Sequence, residues 1–155
     1  MSLKIGDKAP DFKLFSSEKE EVSLKNFEGE NLLILFFPQA FTGVCTTELC
    51  SVRDNMAFYN NVKAKVVAIS VDSIFTLDRF KKDQNLNFQL LSDFNKEISP
   101  KYGAFYDSFA FNMKGVAKRS AFVVDKNGTI QYAEVLESAG DLPDFEKITK
   151  TLESL

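Results

Sequence analysis

Leu32-Leu33-Ile34-Leu35-Phe36-Phe37-Pro38, followed by Thr42-Gly43-Val44-Cys45-Thr46-Thr47-Glu48-Leu49-Cys50, is the stretch on which the fold turns. A run of large apolar residues with no polar alternation predicts a strand buried on both faces, ended by a proline that cannot extend it. A short loop follows. From Cys45 the apolar residues return at Leu49, Val52, Met56 and Tyr59, which is helical spacing. The segment therefore carries a buried strand into a helix with a thiol in its first turn. Thiolate is the reactive form of cysteine, and the unpaired amides and macrodipole of a helix start favour negative charge.

Outward from this stretch the chain alternates. Asp11–Phe15 and Val22–Leu24 predict an N-terminal hairpin, Asn31–Phe37 the central strand, and Lys65–Val71 a second buried strand. Ile74–Gln84 predicts a helix with Leu77 and Phe80 inward, and Asn95–Tyr102 a short one, broken near Pro100 and ended by Gly103. Ser120–Val124, Asp125-Lys126-Asn127-Gly128 and Thr129–Val135 predict a hairpin, with Asn-Gly supplying positive φ angles. Asp141 is placed as the cap of a last helix, with Pro143 in its first turn and Leu142, Phe145, Ile148 and Leu152 on one face. Helices and strands in this order predict an α/β class with a mixed central sheet. No repeat, linker or low-complexity segment interrupts residues 1–155, and a single domain of this length can bury a real core.

Composition narrows the function. A net charge of −3 with no long basic run argues against nucleic acid as the main partner. No apolar run is long enough to span a membrane. The start, Met1-Ser2-Leu3-Lys4-Ile5-Gly6-Asp7, lacks the apolar core of a signal peptide, so the cytoplasm is the expected compartment. The chain holds two cysteines and no histidine. That removes Ser-His-Asp and Cys-His catalysis and His-ligated metals, and leaves a cysteine to be activated by a helix end, an arginine or a lysine. Two cysteines are too few for a disulfide scaffold, so redox chemistry is the better reading. Sixteen phenylalanines predict an aromatic-rich core or interface.

Pro38-Gln39-Ala40-Phe41-Thr42-Gly43-Val44-Cys45 fits the Pro-x-x-x-Thr-x-x-Cys signature of the peroxiredoxins, thiol peroxidases on a thioredoxin-like fold. Ile5-Gly6-Asp7-Lys8-Ala9-Pro10-Asp11-Phe12, Ala68–Ser73, Leu90–Asp93 and Arg119–Asp125 resemble later landmarks in order, so the resemblance spans nearly the whole chain. Phe36-Phe37-Pro38 with Phe41–Cys45 is most similar to the alkyl hydroperoxide reductase E-like branch. A second cysteine five residues on is similar to the bacterioferritin-comigratory, or Q-type, branch. The resemblance implies a thioredoxin-like fold with an N-terminal β-hairpin extension. It also implies reduction of hydrogen peroxide and organic hydroperoxides without metal or bound cofactor, and thioredoxin or another small dithiol as reductant.

The resemblance assigns roles. Cys45 is the peroxidatic thiol and becomes a sulfenic acid. Arg119 faces it and holds thiolate and peroxide, Thr42 orients the peroxide, and Pro38 walls the pocket. Glu48 either braces the arginine or complements the helix dipole. Each has a plainer alternative: Cys45 as a small core residue, Thr42 as a helix cap, Arg119 as a surface residue beside Lys118. Cys50 is either the resolving thiol of an intramolecular disulfide or an inert packing residue, an external thiol then resolving Cys45. Along an intact helix the two Cα atoms stand ~7.5 Å apart on the axis alone, beyond the ~7 Å a disulfide allows, so resolution requires unwinding.

The absence of Cys-x-x-Cys argues against a general disulfide reductase. The end at Leu155 without a cysteine-bearing tail argues against intersubunit resolution. Tyr102, Phe105, Tyr106, Phe109 and Phe111 are either core packing or a homodimer contact. The rival from another class is a non-enzymatic binding or holdase protein on the same fold.

Overall fold

The computed structural model describes residues 2–155. In chain order the strands are β1 (Lys13–Ser16), β2 (Glu21–Ser23), β3 (Asn31–Phe36), β4 (Ala64–Ser70), β5 (Gln89–Ser92), β6 (Phe105–Tyr106), β7 (Val116–Ala117), β8 (Ser120–Val124) and β9 (Ile130–Val135). The α-helices are α1 (Gly43–Asp54), α2 (Met56–Asn61), α3 (Ile74–Gln84), α4 (Ile98–Lys101) and α5 (Phe145–Glu153). Seven strands form one mixed sheet in the order β2-β1-β5-β4-β3-β8-β9. The β1–β2 hairpin extends that sheet by pairing antiparallel with β5.

All six residues of β3 are buried because both neighbours and both faces are covered. It pairs in parallel with β4 and antiparallel with β8. Side chains alternate across a strand. Leu33, Leu35 and Phe37 therefore meet α1, α3 and α5 through Leu49, Val52, Leu77, Phe80, Ile148 and Leu152. Leu32, Ile34 and Phe36 face the other way, onto Phe12, Val22, Ile98 and Tyr102. At roughly 1.5–3 kcal/mol for each large side chain fully removed from water, β3 anchors both layers. Phe36, Tyr102 and Phe122 form an aromatic trio at centroid distances of 5.2, 6.1 and 5.3 Å.

Several local expectations are corrected. The helix opening before Cys45 stops at Asp54; Asn55 leaves helical geometry at φ −105 and ψ 15, and α2 begins after it at Met56. The last helix starts at Phe145, capped by Asp144, whose carboxylate accepts the Lys147 amide at 3.2 Å. Asp141, Leu142 and Pro143 precede it, and Leu142 is exposed. In the β8–β9 turn only Gly128 takes a positive φ. Asp125 replaces the expected Asn-Gly geometry by accepting the amides of Asn127 and Thr129, and the register shifts between Val123 and Val124. The short helix runs only from Ile98 to Lys101, and Pro100 lies inside it, early enough that its missing N–H costs no bond. β5, of four residues, and the β6–β7 ladder, of two residues a side, are strands that the sequence pattern does not signal.

Candidate active site

The end of β3 delivers Phe37 and Pro38, both buried, at the edge of the sheet. The next four residues turn back so that Gly43 opens α1. Cys45 is its third residue. The first bond within the helix runs from the Thr46 amide to the Thr42 carbonyl at 3.0 Å. The amides of Gly43, Val44 and Cys45 thus have no partner one turn back, and they supply the positive end of the dipole. Thr42 occupies the cap position, yet its hydroxyl does not cap the helix. It donates to the Gln39 carbonyl at 2.8 Å.

Cys45 is only 1% exposed and packs among the apolar residues beneath the helices. It is not in an inert setting. Arg119 Nη2 donates to Cys45 Sγ at 3.2 Å, and Nη1 donates to Glu48 Oε1 at 2.7 Å. Nε and Nη2 also donate to the Ala139 carbonyl at 3.1 and 3.0 Å. The planar fork is thereby fixed on three sides, a use for which lysine lacks the geometry. Lys118 and Arg119 form the two-residue link between β7 and β8 and part ways there: Lys118 reaches Glu137 at 3.0 Å, while Arg119 is 2% exposed.

Glu48 is the sixth residue of α1, beyond the first turn where a carboxylate best complements the dipole, and it is wholly buried. One carboxylate oxygen meets Arg119; the other has no hydrogen-bond partner. Burial raises its pKa from 4.5 to about 7, and the charge and hydrogen bond of Arg119 offset part of that rise. Thiol, guanidinium and carboxyl form one buried line, with the arginine in the middle.

Cys50 lies on the same unbroken helix, partly exposed, with its thiol 3.5 Å from Gln84 Oε1; both cysteines are free. Arg53, one turn on, donates to the Gln84 carbonyl at 2.5 Å. The structure thus brings together Cys45, Arg119 and Glu48, sets Thr42 and Pro38 on the loop before them, and holds Cys50 apart. The Ala139 carbonyl went unforeseen, because a backbone acceptor in a loop has no residue-type signal. Among the described residues no group of three or more Cys, Asp or Glu side chains comes together to hold a metal ion. No described helix is long and apolar enough to cross a membrane.

A buried thiol at a helix start, held by an arginine from the link just before β8, defines a class of thiol-dependent redox enzymes, and comparison with known proteins agrees. Residues 5–133 match the AhpC/TSA family. Over 156 residues the chain is 36% identical to alkyl hydroperoxide reductase E of Mycobacterium tuberculosis, covering 99% of this chain and 98% of that one. It is 36% identical over 131 residues to peroxiredoxin Bcp of Escherichia coli, covering 84% of each. The crystal structure of peroxidoxin BcpB from Mycobacterium tuberculosis superposes with a TM-score of 0.87 at 25% identity, covering 99% of this chain and 98% of that one. A peroxiredoxin-like protein from Aquifex aeolicus superposes at 0.89 and 25% identity, covering 99% and 88%. The chain belongs to the AhpC/TSA family and is a peroxiredoxin, a thiol-dependent peroxidase on a thioredoxin-like fold. Within that family it is similar both to the E-type and to the Bcp-type relatives.

Proposed function

We propose that Cys45 is the peroxidatic cysteine and that it reduces hydrogen peroxide and small organic hydroperoxides. The observation that carries this is the 3.2 Å contact from Arg119 Nη2 to Cys45 Sγ at the open end of α1. The thiolate attacks one peroxide oxygen; the O–O bond breaks, a S–O bond forms, and the second oxygen leaves and takes up a proton as water or alcohol. Negative charge moves from sulfur toward the leaving oxygen, so donors must face its destination. Arg119 and the amides at the start of α1 are such donors. The Thr42 hydroxyl spends its proton on Gln39, which leaves its lone pairs to accept a peroxide O–H. Pro38 closes the pocket against water. Glu48 braces Arg119 from the far side.

The sulfenic acid on Cys45 is resolved by Cys50. The Cys50 thiolate attacks Cys45 sulfur, the S–O bond breaks, and hydroxide leaves with a proton as water. Since α1 keeps the two thiols on different turns, its first turns unwind for this step. Thioredoxin or a similar small dithiol returns the disulfide to two thiols. The alkyl hydroperoxide reductase E and Bcp relatives support this assignment of class. The 155 residues act as one domain in the cytoplasm, and a second copy docks through exposed aromatics such as Phe111, which is 96% exposed. Tyr102 takes no part, being buried with its hydroxyl donating to the Pro10 carbonyl at 2.6 Å.

Intact mass after one equivalent of hydrogen peroxide tests the proposal. An intramolecular disulfide in the native chain, and an overoxidisable sulfenic acid in Cys50→Ser, are expected. A sulfenic acid that persists with Cys50 present would make this a one-cysteine enzyme resolved by an external thiol. No change of mass at Cys45 would reject the peroxidase assignment and leave a binding role.

A further inference from the structure

The loop carrying Pro38 and Thr42 passes through a conformation that residues with side chains seldom adopt. Phe41 has φ +66 and is half exposed, though its ring meets Phe80 at 5.1 Å. A non-glycine residue stays there only when its surroundings over-determine it. Two hydrogen bonds, one on either side of Phe41, do so. Thr42 Oγ1 donates to the Gln39 carbonyl at 2.8 Å, and the Ala40 amide donates to Asp72 Oδ2 at 2.8 Å.

Asp72 is itself held in place. Ser70 Oγ donates to the same carboxylate oxygen at 2.6 Å, and Ser92 Oγ donates to the Asp72 carbonyl at 2.6 Å. Ser70 and Ser92 are the last residues of β4 and β5, buried in the sheet. An unbroken chain of hydrogen bonds therefore runs from the rigid ends of two parallel strands, through Asp72, into the loop that ends at Thr42. No hydrogen bond joins its members to Cys45 or Arg119; Cys45 is held by Arg119, and Arg119 by Glu48 and the Ala139 carbonyl.

We propose that Asp72 is a positioning residue for peroxide reduction: its carboxylate holds the Pro38–Thr42 loop in the strained turn that aims the Thr42 hydroxyl. The inference rests on the reading of Cys45 and Thr42 as the peroxide site. It separates two properties of that site. The nucleophilicity of Cys45 depends on Arg119 and the helix start, whereas the orientation of the peroxide depends on the loop and so on Asp72.

The test compares two reactions of Cys45 in the intact protein: oxidation by hydrogen peroxide, and alkylation by iodoacetamide followed at Cys45 by peptide mass spectrometry. Iodoacetamide needs the thiolate but not an oriented peroxide. In Asp72→Ala the peroxide rate constant should fall roughly 10- to 100-fold, the usual consequence of a misplaced reacting group, with alkylation within about twofold of the native chain. Asp72→Asn keeps an oxygen to accept from Ala40 and Ser70, and should recover most of the loss. If Asp72→Ala does not fold, Ser70→Ala, which only loosens the carboxylate, should show the same selective fall at about threefold. A peroxide rate unchanged in the folded variants overturns the proposal, as does an equal fall in both reactions. A native chain no faster with peroxide than a free thiol would instead overturn the underlying reading of Cys45.

Discussion

Glu48 holds a carboxyl where none of it meets water, and Glu48→Gln should show what that costs the fold. One oxygen lies 2.7 Å from Arg119 Nη1 and the other has no partner. Burial lifts the pKa from 4.5 to about 7, Arg119 cancelling only part of the rise. In the unfolded chain the group titrates near its ordinary value. Between pH 4.5 and 7 the folded state therefore binds more protons than the unfolded one, and stability falls as pH rises. Below that window both states are protonated and the cost is absent; above it the cost is complete. At ~1.4 kcal/mol for each tenfold change in proton affinity, the rise from 4.5 to about 7 comes to about 3 kcal/mol. Glutamine keeps a carbonyl oxygen for Arg119 and has no charge to bury. Denaturant unfolding of both proteins from pH 4.5 to pH 8 isolates the contribution, because the other carboxylates cancel in the difference. The variant should gain about 3 kcal/mol on the native chain as pH rises across the window. A stability difference that stays constant with pH would refute the reasoning.

Other outcomes follow from the same geometry. Arg119→Lys loses the fork that joins Cys45, Glu48 and Ala139, so the peroxide rate constant should fall roughly 100- to 1000-fold in single-turnover kinetics. Thr42→Val keeps the shape of the side chain and loses its hydroxyl. It should slow peroxide reduction by about 10- to 100-fold, with Thr42→Ser much closer to native. Arg53→Ala frees the Gln84 carbonyl beside Cys50. It should change the rate of disulfide formation, read by quenched intact mass, while leaving the first oxidation of Cys45 alone.

Much of this architecture is legible because local chemistry and tertiary context agree. Ser73 caps α3 by accepting the Thr76 amide, and the helix runs over Ile74–Gln84 as its periodicity requires. The uninterrupted apolar run of β3 can only be a strand covered on both faces. The sequence misleads where two signals compete. The apolar spacing from Leu49 to Tyr59 is continuous, yet Asn55 breaks the helix, since periodicity does not register a single residue that leaves helical dihedrals. Two aspartates flank Pro143 before the last helix, and Asp144 rather than Asp141 caps it, its own amide held by Glu134 at 2.8 Å. Strands of two residues, as in β6 and β7, are too short to carry any alternation.

The site divides in the same way. Pro38, Thr42 and Cys45 are spaced within one segment, so a motif finds them. Arg119 and Glu48 are 71 residues apart in the chain and meet through the pairing of β3 with β8. Only resemblance links them at the level of sequence. Asp72 stands in the Ala68–Ser73 landmark, but its reach to the Ala40 amide is a tertiary contact that no spacing reveals.

The central claim is that Cys45 is a peroxide-reactive thiol activated by Arg119. The chain has no tryptophan to report oxidation, so competition with a haem peroxidase for limiting hydrogen peroxide is the direct measurement, made on the reduced native chain, Cys45→Ser and Arg119→Lys. The account predicts a native rate far above that of a free thiol, none in Cys45→Ser and a steep fall in Arg119→Lys. A native chain that competes no better than a free thiol, or a Cys45→Ser protein that competes as well as native, would contradict it.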